Sequence, residues 1–247
     1  MGRRSAKIAG RKGKSDALKA KTYGRVGKLI VQYVKSGGSD PVVNAKLKDL
    51  LQRAKELGVP KDIIDRNLKK ASDKTQGDYQ ELTYEAYGPG GTGFIVQCLT
   101  DNVNRSAGDV KAIITKSGCK NAEPGSVLFN FSRVGKVLVE GSSEDAVFEA
   151  AMEAGAEDVA GVPAEEDGEE STDVRVYMSV EEFFSAQAKL KELGFSVNAE
   201  QSELIYKAGV AVEVDDEAFA KCEAIIEKLL ELDDVDAVFT NADGLEA

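Results

Sequence analysis

The residues of strongest chemical character in this chain are cations, and they lie at its start. The run MGRRSAKIAGRKGKSDALKAKTYGRVGK (1–28) holds Arg3, Arg4, Lys7, Arg11, Lys12, Lys14, Lys19, Lys21, Arg25 and Lys28 against a single acid, Asp16. Cations at this density repel one another and are stabilised by a polyanion. The chemistry expected of them is neutralisation of phosphates, and the expected partner is nucleic acid.

Other groups could do different chemistry and are weaker. The loop YGPGGTGF (87–94) is glycine-rich, as phosphate-cradling loops are. Such loops lead from a strand into a helix N-terminus, often with a following Lys-Ser/Thr. This one leads into another strand, so a tight hairpin turn is the preferred reading. Contact of its bare backbone with RNA or ribosomal protein is the second. Asn102 and Asn104 sit at a strand-to-helix turn, where capping explains them. Arg105 lies near a helix start, where the dipole favours an acid. It is expected to pair with Asp101 or Glu85, or to touch a phosphate.

Catalysis finds little support. Carboxylates are numerous, but no pair stands out as a general acid and base. The chain has no histidine, and its three cysteines, Cys98, Cys119 and Cys222, are far apart. That leaves no zinc pattern and no disulfide framework, and a reducing compartment fits best. The expectation is a non-enzyme with no cofactor and no metal. No run of 18 apolar residues appears, so no membrane partner is expected. The basic start is faintly like a transit peptide, but it runs on into a helical pattern and is read as functional.

Charge is divided unevenly along the 247 residues, whose overall net is −11. Residues 1–74 carry 20 Lys/Arg and 7 Asp/Glu, a net of +13; residues 75–247 carry 12 and 36, a net of −24. One part of the molecule faces a polyanion and the rest does not.

The elements that must position these cations can be read from periodicity. Residues 1–21 have weak apolar patterning and are expected to be a mobile arm that orders on a partner. From Thr22, the residues Tyr23, Val26, Leu29, Ile30, Tyr33 and Val34 recur at helical spacing until Ser36-Gly37-Gly38. Asp40-Pro41 is expected to cap a second helix with Val43, Leu47, Leu50, Leu51, Ala54 and Leu57 inward. Pro60 opens a third, with Ile63, Ile64, Leu68 and Ala71 inward. The polar faces carry Lys46, Lys48, Arg53, Lys55, Lys61, Arg66, Lys69 and Lys70; any one of these is as well explained by an ordinary solvated face. Of them, Lys61, Arg66, Lys69 and Lys70 join the arm as candidate nucleic-acid contacts, with Arg105.

After a polar linker (72–80) the period changes to two. Residues 81–87 and 92–100 read as a hairpin, Ala107, Val110, Ile113 and Ile114 as a helix face, and 126–131 as a third strand. Residues 134–206 then follow a β-α-β-β-α-β order, the ferredoxin-like split-βαβ. The second helix of that unit, 180–193, is expected to bury Phe183, Phe184, Ala186, Leu190 and Leu193. An acidic loop, 163–171, separates its halves. A strand at 209–214, a helix from Asp215 burying Phe219, Cys222, Ile225, Ile226 and Leu229, and a strand at 235–239 close the chain. Neither 80–133 nor 207–247 completes a core alone, so the two are expected to join. The fold class is therefore α+β: an N-terminal three-helix bundle (22–74) followed by two α/β sandwich-like domains, with the ferredoxin-like domain (134–206) inserted in the other (80–133 plus 207–247).

These residues also resemble a known family. The segments KIAGRKGKSDALKAKTYGRVGK (7–28), YEAYGPGG (84–91), LTDNVNR (99–105) and LDDVDAV (232–238), in that order, are similar to the YebC family. That family includes the mitochondrial translational activator of cytochrome oxidase subunit I. The start, GRRSAKIAGRKG, departs from the common bacterial form and looks like the organellar or second bacterial branch. The resemblance implies a three-domain protein associated with the ribosome, aiding translation notably through proline-rich stretches. Other members are described as DNA-binding transcriptional regulators. The expected partner is the ribosome and its RNA, with DNA as the alternative. The expected state is a monomer, in a bacterial cytoplasm or in a mitochondrial or plastid compartment.

Overall fold

The computed structural model describes the backbone of residues 3–73, 77–162 and 172–245, with side chains from residue 19 onward in those ranges. The acidic loop 163–171 lies outside them. The first helix, α1, spans Arg3–Gly37, 35 residues without interruption. The expected boundary between arm and bundle at residue 21 is therefore not a break in the backbone. Weak apolar patterning does not exclude a helix. Lysine, arginine and alanine are good helix formers, and no proline intervenes. Gly38, at φ 87°, ends α1, its N–H donating to Val34 O at 2.8 Å.

The second helix, α2 (Ala45–Glu56), is capped by Asn44 rather than Asp40. Asp40 Oδ1 instead accepts from Val42 N at 2.9 Å, closing a turn. Asn44 wins because its amide both donates and accepts. Oδ1 takes the Leu47 N–H at 3.1 Å, while Nδ2 donates to Tyr33 O at 2.7 Å and Gly38 O at 2.9 Å. With the helix starting later, Val43 stands 80% exposed instead of inward. Helix α3 (Lys61–Ala71) follows Pro60 as expected. The three helices share a core of Val26, Ile30, Val31, Val34, Leu47, Ala54 and Leu57 among others.

Strands β1 (Gln80–Tyr87) and β2 (Gly93–Thr100) form the expected hairpin, paired from Gln80–Thr100 to Tyr87–Gly93. Helix α4 (Val103–Lys116) follows, then the short β3 (Lys120–Asn121). Residues 126–131 are not the third strand. Gly125 N and Val127 N donate to the buried Glu85 carboxylate at 2.5 and 2.7 Å, so those donors are not left for a sheet. A 3₁₀ turn (Leu128–Asn130) comes next.

The chain then runs β4 (Phe131–Glu140), α5 (Glu144–Glu153), β5 (Ala156–Gly161), β6 (Val174–Met178), α6 (Phe183–Glu192) and β7 (Ser196–Ala208). Last come α7 (Asp216–Leu230) and β8 (Val235–Thr240). The strand expected at 209–214 is reduced to one parallel bridge, Val212 to Ala242.

Among the described residues, eight strands form two sheets, ordered β3-β1-β2-β8 and β5-β6-β4-β7. The second is the ferredoxin-like arrangement, antiparallel throughout, with α5 and α6 packed on one face. Of the expected inward pair on α6, Phe183 is buried and Phe184 is 60% exposed. Adjacent helical residues point about 100° apart and cannot both face one core. Gly135 makes room for Phe183: a Cβ there would sit 2.6 Å from its ring. Leu193, also expected inward, lies beyond the helix and is 45% exposed.

The first sheet packs α4 and α7 on one face through Phe94, Val96, Cys98, Val110, Ile114, Cys222 and Leu229. Ile95 and Leu99, on the other face of β2, are also fully buried. The chain divides into two compact units, 1–127 with 211–247, and 128–210. The second unit leaves and returns at one place, since Gly209 N donates to Asn130 O at 2.8 Å. Replacing 128–210 by a short Gly-Ser linker should therefore leave a remainder with one cooperative thermal transition. A remainder that melts without cooperativity would show that the first unit depends on the second.

Candidate nucleic-acid interface

Three of the expected phosphate ligands are engaged inside the first unit. Lys21, Arg25 and Lys28 recur at spacings of four and three, so they share one face of α1. Lys21 Nζ donates to Leu230 O at 2.5 Å, near the C-terminus of α7. Lys28 Nζ donates to Leu99 O at 2.9 Å and Asp233 O at 2.5 Å, and lies 4.0 Å from Asp234 Oδ1. Arg25 Nε lies 3.4 Å from Asp236 Oδ2. A helix C-terminus favours cations because its last carbonyls lack intrahelical partners. The face of α1 that docks is thus matched to the α7–β8 turn.

Burial dominates the electrostatics of this contact. Asp236 has a side chain 7% exposed; burial pushes its carboxyl above the usual range, and Arg25, Lys28 and Lys21 pull it back. Burial lowers the Lys21 ammonium, and Asp236 opposes that shift.

Arg105 is also engaged. Its Nε and Nη2 reach Asp234 Oδ2 at 3.0 and 2.8 Å, and Nη2 reaches Asp101 Oδ1 at 2.9 Å. Asp234 is further held by Thr100 Oγ1 at 3.0 Å. Of the expected partners, Asp101 is present and Glu85 is not, because Glu85 serves the 125–127 backbone. Asp234 was not foreseen. Half of the Arg105 side chain stays accessible, at 48% exposure. Asn102 caps α4 as expected, accepting from Arg105 N at 3.1 Å.

The glycine loop is closed on itself. Gly88 N donates to Thr92 O at 2.8 Å and Thr92 N to Pro89 O at 3.2 Å. Gly90, at φ 67°, packs on Val214, where a Cβ would clash at 2.8 Å. The loop is the hairpin turn between β1 and β2, seated on α7.

The remaining cations divide by position. Arg3, Arg4, Lys7, Arg11, Lys12 and Lys14 lie on the helical backbone of α1, with side chains outside the described residues. Lys19 is half-buried and engaged in contacts. Lys61, Arg66, Lys69 and Lys70 are exposed on α3, and Lys46, Lys48 and Lys55 on α2. Arg53 pairs with Glu56 at 3.5 Å. The second unit has the opposite character: 128–210 carries 6 Lys/Arg and 18 Asp/Glu.

Two grooves flank α1. One, of about 560 Å³, includes Asp101, Asp109, Glu231, Asp233 and Asp234 beside Lys28 and Arg105. The other, of about 370 Å³, lies between α1 and α3 and contains Tyr23, Arg66, Asn67, Lys70 and Tyr79. Periodicity placed Tyr23 on a core face and missed this groove; the adjoining small residues Ala20 and Gly24 were the available signal. Cys98 and Cys222 are buried, and burial pushes the Cys98 thiol up to about 11, so it is not a thiolate at neutral pH. Among the described residues no His, Cys, Asp or Glu cluster could hold a metal, and no helix is long and apolar enough to cross a membrane.

The chain matches two family descriptions that together span most of it. Residues 3–74 match the TACO1/YebC protein N-terminal domain, and 79–242 the TACO1/YebC second and third domain. A probable transcriptional regulatory protein of Arabidopsis thaliana is 45% identical over 246 residues, covering 97% of this chain and 74% of that one. One of the same description from Chlamydia pneumoniae is 40% identical, covering 94% of each. The crystal structure of a conserved hypothetical protein from Aquifex aeolicus aligns with TM-score 0.77 and 31% identity, covering 94% of this chain and 93% of that one.

The docking contact predicts a pH signature. A carboxyl raised on folding makes the folded state bind more protons than the unfolded, so its contribution to stability falls as pH rises through the folded value. Arg25→Ala removes the main charge opposing that shift. The variant should lose about 1–2 kcal/mol near neutrality, the partial exposure of Arg25 keeping this below the cost of breaking a fully buried pair. Its melting temperature should approach wild type as buffer is taken from about pH 8 to about pH 5, where Asp236 protonates more readily. Asp236→Asn, which removes the buried charge itself, should cost less. An Arg25→Ala deficit that is constant across this range would show that the ion pair does not account for it.

Proposed function

The chain belongs to the TACO1/YebC family, and on that premise we propose that it is a nucleic-acid-binding translation factor that associates with the ribosome and acts without catalysis. The observation that carries this reading is the division of labour along α1. Lys21, Arg25 and Lys28 are used to seat the helix on the α7–β8 turn. The same helix continues N-terminally for about five further turns. Positions 7, 11 and 14 fall on the stripe that 21, 25 and 28 define, and 3, 4 and 12 supply further cations. A helix gripped at one end by its own domain suits a partner whose phosphates lie on an irregular folded surface, as in ribosomal RNA. The exposed cations of α3 extend the same footprint.

A second reading is favoured by the description of the relatives as probable transcriptional regulatory proteins. A basic helix can enter the DNA major groove, and dimeric regulators use two such helices on half-sites. Helices α2 and α3, joined by the four residues 57–60, are the candidate pair for such docking. RNA is preferred because the densest run of cations lies on α1, outside that pair. Footprinting on promoter DNA at physiological salt separates the two readings.

Replacing Arg11, Lys12 and Lys14 together by alanine should weaken co-sedimentation with ribosomes and reduce the slope of log affinity against log salt by up to about three. Unchanged sedimentation would refute the assignment. The family resemblance further implies an effect on proline-rich stretches. Addition of the protein to a reconstituted translation system should speed messages encoding proline runs more than matched messages without them. Equal rates would remove that part of the proposal.

A further inference from the structure

We propose that the groove between α1 and α3 binds one unpaired nucleotide of a single-stranded RNA. This deepens the reading above and rests on it. The groove, about 370 Å³, falls within the size range of ligand pockets, about 300–1,000 Å³. Its chemistry is that of nucleotide recognition. Tyr23 and Tyr79 supply aromatic faces for a base, Arg66 and Lys70 supply cations for its phosphate, and Asn67 supplies an amide. Tyr23 is fixed by its hydroxyl, which donates to Gly58 O at 3.3 Å. Asn67 is fixed by Nδ2, which donates to Ile63 O at 2.8 Å, and by its packing on Gly27, where a Cβ would sit 2.7 Å from it.

Space and charge both favour this groove. Its α1 wall carries Ala20 and Gly24, and a Cβ added at Gly24 would meet nothing within 4 Å. Among the described residues its lining has no carboxylate, whereas the groove across Lys28 and Tyr79 from it is dominated by carboxylates. A phosphate is therefore attracted to one and repelled from the other. A base stacked in a duplex has no free face to offer a tyrosine, so the occupant is an unpaired nucleotide.

The test uses the full chain and fluorescence anisotropy with labelled octauridylate and, separately, a blunt RNA duplex. Gly24→Leu fills the groove from the α1 wall, and replacing a helix-interior glycine does not disfavour the helix. It should weaken octauridylate binding about tenfold or more while leaving the duplex within about twofold. Lys70→Ala should weaken the same probe, and Lys48→Ala, on α2 outside the groove, should not. Photocrosslinks from thiouridine-substituted octauridylate should map to Tyr23 or Tyr79. Wild-type affinity of Gly24→Leu for octauridylate would overturn the inference. If that result accompanies a loss of ribosome binding by the Arg11/Lys12/Lys14→Ala variant, the groove fails and the arm reading stands. If Gly24→Leu loses the single strand while the triple variant still sediments normally, the groove stands and the arm reading fails.

Discussion

The seating of α1 on the α7–β8 turn is the contact on which the arrangement of the first unit depends. It is made by three cations on one helical face against carbonyls and carboxylates at the end of α7 and the start of β8. Neither side of it is comfortable alone. Burial lowers the Lys21 ammonium and raises the Asp236 carboxyl, so each would be costly in its charged form without the other. Such contacts contribute less through raw attraction than through selectivity. A helix slipped by one residue would carry these cations about 100° around its axis and leave Asp236 buried against none of them. The ion pair therefore fixes the register in which α1 meets the sheet.

That register shapes how the basic charge of the chain is understood. A count of cations in 1–28 treats all ten as equivalent. Folding makes them unequal. Those at 21, 25 and 28 are engaged by the chain's own carbonyls and acids, and Arg105 is shared between Asp101 and Asp234. Among the described residues, the cations left exposed include Lys61, Arg66, Lys69 and Lys70 on α3. The acidic bias of the later residues is then partly internal as well. Asp233, Asp234 and Asp236 are the counter-charges that hold the basic helix in place.

Much of the fold was legible because it follows from local rules. Helical spacing located α1 from Thr22 onward, α3, α4 and α7, and the change of period at residue 80 located the hairpin. The β-α-β-β-α-β order was enough to identify the ferredoxin-like unit. Two of the misses share a cause: a tertiary contact captured a local group. Glu85 drew the 125–127 backbone away from a strand, and Asn44 displaced Asp40 as a cap by also holding the end of α1. The site was less legible for the same reason. Nothing in the residues near Lys21 announces Leu230 as its acceptor, 209 positions away. The motif LDDVDAV could be recognised, but not that its acids face α1. The α1–α3 groove was hidden because Tyr23 sits at a core spacing and only tertiary packing shows that it also lines an open groove.

The two grooves beside α1 share Lys28 and Tyr79 and differ in sign. Lys28 lies at the boundary, bridging to the acidic turn on one side, while Arg66 and Lys70 line the other. A polyanion approaching α1 meets repulsion over Asp101, Asp109 and Asp233 and attraction over Arg66 and Lys70. Clefts lined by one sign of charge focus the field and raise the rate at which a charged partner finds the right face. On the proposed reading, the acids that seat α1 have a second effect, because they disfavour phosphate on that flank. The same lysine helps to anchor the helix and marks the boundary between the two faces.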